Sequence, residues 1–85
     1  MADPRDLDAA TWQAWIDDVA GALGVDSALV DVTAIHDLTR AVAHDLARPM
    51  APVSAFMVGF AMAQHGLTFA EASEKVVASI EPAQI

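Results

Sequence analysis

The side chains best suited to chemistry gather in one run, "HDLTRAVAHDLARPMAPVSAF", residues 36–56. Asp37, Arg40, His44 and Arg48 recur at intervals of three and four, so a helix would align them on one face. A carboxylate beside an imidazole can orient it as a general base. Arg48, just ahead of the next helix start, could join its guanidinium to free N–H groups as a site for an anion. Ser54 adds a hydroxyl a few residues on. Three readings stay open for Asp37, Arg40, His44, Arg48 and Ser54: a solvated structural face, a protein-contact face, or a small-anion or cofactor site. A catalytic base needs a nucleophile or an electrophile-binding group beside it. The sequence holds no nucleophile elbow, phosphate loop or dinucleotide fingerprint, so no enzyme, catalytic residue or cofactor is expected. Of the histidines His36, His44 and His65, the first two are eight apart, not the four of a helical metal pair, and no metal site is expected.

Composition narrows the partners. The 85 residues suffice for a single domain spanning 1–85, with residues 1–7 and 82–85 expected to be flexible. A chain this short buries only about 60–65% of its unfolded surface, so a partner chain would add needed burial. The formal charge is −8, from 4 Lys+Arg against 12 Asp+Glu, which repels phosphate backbones and anionic lipid; no nucleic-acid partner is expected. There are no cysteines, hence no disulfide and no zinc–thiolate site. The acidic opening "MADPRDLDAA" has no apolar signal core, and the apolar segment Met50–His65 is shorter than the ~20 residues of a spanning helix. A cytoplasmic location without membrane insertion is expected.

The elements that would hold these side chains are all helical. Apolar residues recur at helical spacing, no segment alternates with a period of two, and the expected fold is all-α: a small four-helix bundle with helices at about 9–23, 32–47, 52–65 and 69–80. In the first, Trp12, Trp15, Ile16, Val19 and Leu23 form the apolar stripe, Asp8 is the cap and Gly24 the stop. Asp26 or Ser27 starts one short turn, and Asp31 caps the second helix, whose stripe is Val32, Ile35, Leu38, Val42 and Leu46. Pro49 disfavours helical geometry at Arg48, and Pro52 suits a helix start. The third helix is apolar on all sides, which marks it as central and buried all round. Its small row of Ala51, Ala55, Gly59 and Ala63 reads as a packing seam. Thr68 and Glu71 form a capping box on the fourth helix, Glu71 and Lys75 an exposed pair, and Phe69, Ala72, Val76 and Ile80 the inward face. The two tryptophans and three phenylalanines are expected to supply most of the large core volume.

The segments "WQAWIDDVAGALGVD" and "LTRAVAHDLARPMAPVSAFMVGFAMA" resemble a small actinobacterial family, DUF family 6457, a domain of unknown function. The resemblance runs through Trp12, Trp15, Leu23, Gly24, Asp26, Ala43, His44, Arg48, Pro49, Ala51, Pro52, Ser54, Phe56 and Gly59, and covers roughly residues 12–64. Met50 departs from it, standing where small residues are usual. The resemblance implies a neighbour, because such domains occur beside or fused to molybdenum-cofactor guanylyltransferase-like proteins. It brings no catalytic residue.

The expected function is therefore a non-catalytic helical interaction module that binds through apolar surface near the third or the first helix, because the chain has more apolar side chains than so small a core can cover. Its expected partners are a second copy or, from the resemblance, a nucleotidyltransferase in molybdopterin-guanine dinucleotide biosynthesis. The alternative is a binder of an anionic small molecule, such as a pterin phosphate or nucleotide, at the His44–Arg48 junction.

Overall fold

A computed structural model of the chain describes residues 9–80, the side chains of Ala9 and Thr11 excepted. The expected Asp8 cap and the expectation for residues 1–7 and 82–85 lie outside the described residues. The described residues form four α-helices and no strand, so the all-α class with four helices holds: α1 Ala9–Leu23, α2 Val32–Asp45, α3 Met50–His65 and α4 Phe69–Ile80, with a 3-10 turn at Ser27–Leu29. None of these helices is long and apolar enough to cross a membrane. The chain forms two compact units, Met1–His36 and Asp37–Ile85, the division falling within α2.

In the first unit, glycine chemistry ends α1. Gly24 takes φ +72°, a left-handed conformation that costs glycine nothing. The N–H groups of Gly24 and Val25 then turn back to the carbonyls of Gly21 and Ala20, at 3.3 and 2.9 Å, closing a Schellman motif. Asp26 caps the 3-10 turn by accepting from the Ala28 N–H at 2.9 Å. Asp31 caps α2 in the same manner through the Ala34 N–H at 3.0 Å. Ala20 is the buried residue of α1. The expected core role of the tryptophan stripe is corrected here: Ile16 and Val19 are half-buried, whereas Trp12, Trp15 and Leu23 stand exposed.

The second unit has a core of small and mid-sized aliphatics. Leu38 and Val42 from α2, Val58 from α3, and Ala72 and Ile80 from α4 form the buried cluster, with Ala61, Met62, Leu67, Phe69 and Val76 packed against it. The inward face expected for α4 is the one observed. Its capping box is also made: the Glu71 N–H reaches the Thr68 hydroxyl at 3.1 Å, and the Thr68 N–H reaches the Glu71 carboxylate at 2.8 Å. Glu71 is thereby turned back to its cap rather than forward to Lys75, which replaces the expected exposed pair. Thr68→Ala is expected to cost about 1 kcal/mol, read as a lower thermal midpoint with helical content retained.

The α2–α3 junction departs from the sequence boundaries by two residues on each side. Helix α2 ends at Asp45, not Ala47: the Leu46 and Ala47 N–H groups both bond the Val42 carbonyl, at 2.9 and 3.0 Å, so the ladder is already unwinding. Leu46, expected in the core stripe, is thrown outward at 45% exposure. Helix α3 begins at Met50, with Pro49 as its N-cap at φ −63° and ψ −17°. Pro52 then falls in the first turn, where a missing N–H leaves no helical bond unmade. At the far end Gly66, φ +69°, closes the helix with its N–H on the Met62 carbonyl.

The largest correction concerns α3. Only Ser54 and Val58 are buried on it. Of the small row expected as a packing seam, Ala51 and Ala55 are half-buried but Gly59 and Ala63 are exposed; Ala61 and Met62 are half-buried beside Val58. The bulky side is open: Phe56 is 70% exposed, Met57 59% and Phe60 55%. The aromatic residues therefore do not supply the core volume, apart from partly buried Phe69. Nor does Gly59 seat a neighbouring backbone, since a Cβ built there meets nothing within 4 Å. Gly59→Ala is accordingly expected to stabilise the helix by about 0.5–1 kcal/mol, read by thermal or urea melting.

Candidate functional site

The polar junction comes apart into local pairs. Arg40 lies 3.2 Å from the Asp37 carboxylate, an exposed pair three residues apart. His44, 87% exposed, sets Nδ1 at 2.7 Å from the carboxylate of Asp45, its neighbour in sequence. Asp37 is thus engaged with Arg40, and the imidazole has turned to a different acid. Such surface pairs contribute about 0–1 kcal/mol each. Arg48 is exposed in the turn ahead of α3, where its carbonyl accepts the Ala51 N–H at 3.1 Å. Ser54 is on the packed side: it is 6% exposed, and its hydroxyl donates to the Ala51 carbonyl at 2.7 Å. Four of the five sequence-selected residues share the surface, and Ser54 does not. Carboxylates beside both Arg40 and His44 reduce the positive potential that an anion would need.

The open face of α3 is the larger feature. With about 100° per residue, Val53, Phe56, Met57 and Phe60 fall within one sector of roughly 100°, turned away from Ser54 and Val58. Phe56 and Phe60 stack edge to face, with centroids 6.0 Å apart and planes at 61°. Rings in this arrangement favour each other by about 0.5–1.5 kcal/mol beyond their area, which holds them as one raised aromatic pair. Between Arg48 and Glu71 the chain carries no Asp, Glu, Lys or Arg. The face is therefore apolar and free of formal charge along its whole length.

A second apolar feature belongs to the first unit. Trp12, Trp15 and Ile16 of α1 and Val32 and His36 of α2 line a hollow of about 410 Å³. Gln13, on the adjoining side of α1, donates to Asp17 at 2.9 Å. That bond, and a further one from Ser27, hold the exposed Asp17 carboxyl below its usual range, and the Ser27 bond ties α1 to the 3-10 turn. Sequence reasoning assigned these side chains to the core one by one, yet their excess over what so small a core can cover already pointed to apolar surface near the first or third helix. What it did not single out is which residues stand open: Trp12 and Trp15 on α1, and Val53, Phe56, Met57 and Phe60 on α3.

Among curated proteins no match to the chain is found, and none among solved structures. A family model does match, described as a domain of unknown function, DUF6457, over residues 7–84. That span takes in all four helices, the polar junction and both apolar surfaces, and the chain belongs to the DUF6457 family.

Proposed function

We propose that this protein is a non-catalytic helical interaction module that associates with a second copy of itself through the open face of α3. One observation carries the reading: a helix apolar on every side is covered on only one of them, leaving Val53, Phe56, Met57 and Phe60 in solvent. Exposed contiguous apolar surface of this kind marks protein contact sites. The lack of charge along residues 50–65 favours a second copy, because the −8 of each chain is kept out of the contact. The resemblance to domains beside molybdenum-cofactor guanylyltransferase-like proteins adds a setting, an accessory role in molybdopterin-guanine dinucleotide biosynthesis.

Sedimentation equilibrium over a wide concentration range is the test. A dimer mass that dissociates on dilution is the expected result, and a monomer at every concentration overturns self-association. Co-purification of a monomer with the cognate transferase, lost on Phe60→Asp, would assign the same face to that partner instead. The anionic-ligand alternative rests on Arg48, since Arg40 and His44 already face carboxylates. Calorimetry with a purine nucleotide is expected to give no heat that Arg48→Ala removes; a saturable heat abolished by that substitution would restore the alternative.

A further inference from the structure

The tryptophan hollow differs from the α3 face in its electrostatics. Residues 9–36 carry Asp17, Asp18, Asp26 and Asp31 and no lysine or arginine. All four carboxylates are exposed. Two of them flank the hollow. Asp18 lies about 60° round α1 from Trp15. Asp31 lines an adjoining hollow of about 260 Å³ that shares Val32 with the first. The apolar surface also runs on beyond the hollow: Leu23 is on the Trp12 side of α1, and Leu23, Val25 and Leu29 are all exposed. Aromatic surface edged by acid, with no lysine or arginine among residues 9–36, is complementary to a ligand that is both apolar and positively charged.

We propose that the groove of Trp12, Trp15, Ile16, Val32 and His36 is a docking site for a cationic amphipathic segment of another protein. An apolar side chain of that segment fills the hollow between α1 and α2. Its lysines or arginines lie against Asp18 and Asp31 and over the tryptophan faces, where a cation is attracted by the ring quadrupole. A second copy does not suit this groove, since it would bring the same carboxylates against these. Phosphate backbones and anionic membranes are repelled for the same reason. A small molecule would leave Leu23, Val25 and Leu29 uncovered, whereas a helical segment extends over them. The site is independent of the α3 face, which has no tryptophan.

Both tryptophans of the chain line this groove, so intrinsic tryptophan emission reports on it alone. The probe is a short amphipathic Leu/Lys peptide, titrated into the whole chain by calorimetry and by emission. Its controls are a Leu/Glu peptide of the same pattern and an oligolysine of the same charge. The expected result is a blue shift with Leu/Lys, and affinity at least about tenfold tighter than for either control. Trp15→Ala and Asp18→Asn should each weaken it, while Phe60→Asp leaves it unchanged. Trp15 is 64% exposed, so its removal should not disturb folding, which circular dichroism checks. Equal affinity for Leu/Glu or for oligolysine, or binding indifferent to Trp15→Ala, overturns the proposal, as does no binding at all. Loss of dimerisation by Phe60→Asp with peptide binding intact separates this site from the α3 reading.

Discussion

Leu38→Ala is expected to lower the thermal midpoint by about 8–40 °C, while Leu46→Ala, just past the end of the same helix, moves it by no more than a few degrees. Leu38 is 3% exposed and belongs to the buried cluster, so truncating it leaves a cavity among Val42, Val58, Ala72 and Ile80. Leu→Ala changes of this kind cost about 2–5 kcal/mol. A chain of 85 residues has only about 4–13 kcal/mol in all at the usual stability per residue. In a domain of this size 1 kcal/mol corresponds to roughly 4–8 °C, which places the loss in the stated range. Leu46 lies past the last helical residue and is 45% exposed; substitutions at such sites stay within about 0.5 kcal/mol. The pair is measured by calorimetric melting at one protein concentration. Similar losses from both would mean that Leu46 packs as the helical stripe implies.

That contrast shows which kind of information the sequence holds. Leu38 and Leu46 are indistinguishable by periodicity, both on the stripe of Val32, Ile35 and Val42. What separates them is Pro49, which ends the helix before Leu46 can follow the stripe. Features set by a few neighbouring atoms were readable at once: the left-handed Gly24, the Asp31 cap, the Thr68–Glu71 box, and the bounds of α1 and α4. Hydrophobic pattern was less informative where it pointed nowhere. Helix α3 is apolar all round, so it carries no direction. Its aromatic side is not the one that faces the core: Val58, Ala61 and Met62 fill the space beside Ala72 and Ile80. The polar junction was readable as far as the Asp37–Arg40 spacing. On a wheel His44 shares a face with Asp37, but seven residues are about 10.5 Å of helix rise, and the imidazole meets the adjacent Asp45 instead.

Substituting aspartate for Phe56 and Phe60 is expected to turn a concentration-dependent dimer into a monomer while leaving the helices intact. Both rings are more than half exposed, so neither change buries a charge within the chain, and circular dichroism should be unaltered. In the dimer each ring would sit at the centre of the contact, where truncation of an aromatic typically costs about 2 kcal/mol or more. A carboxylate placed there adds desolvation and repulsion from its symmetry mate. A loss of 2 kcal/mol alone raises Kd roughly 30-fold. The same linkage gives a second readout. Because association stabilises only the folded chain, the wild-type thermal midpoint should climb about 3–6 °C for each tenfold rise in concentration, and that of the double variant should not. A core this short of large side chains makes the dependence visible: Val42 and Val58 are its most enclosed residues, so burial of the α3 aromatics in a partner adds a sizeable part of the total. A midpoint independent of concentration in the wild type, with a monomer mass, would leave the aromatic pair without a homodimer role.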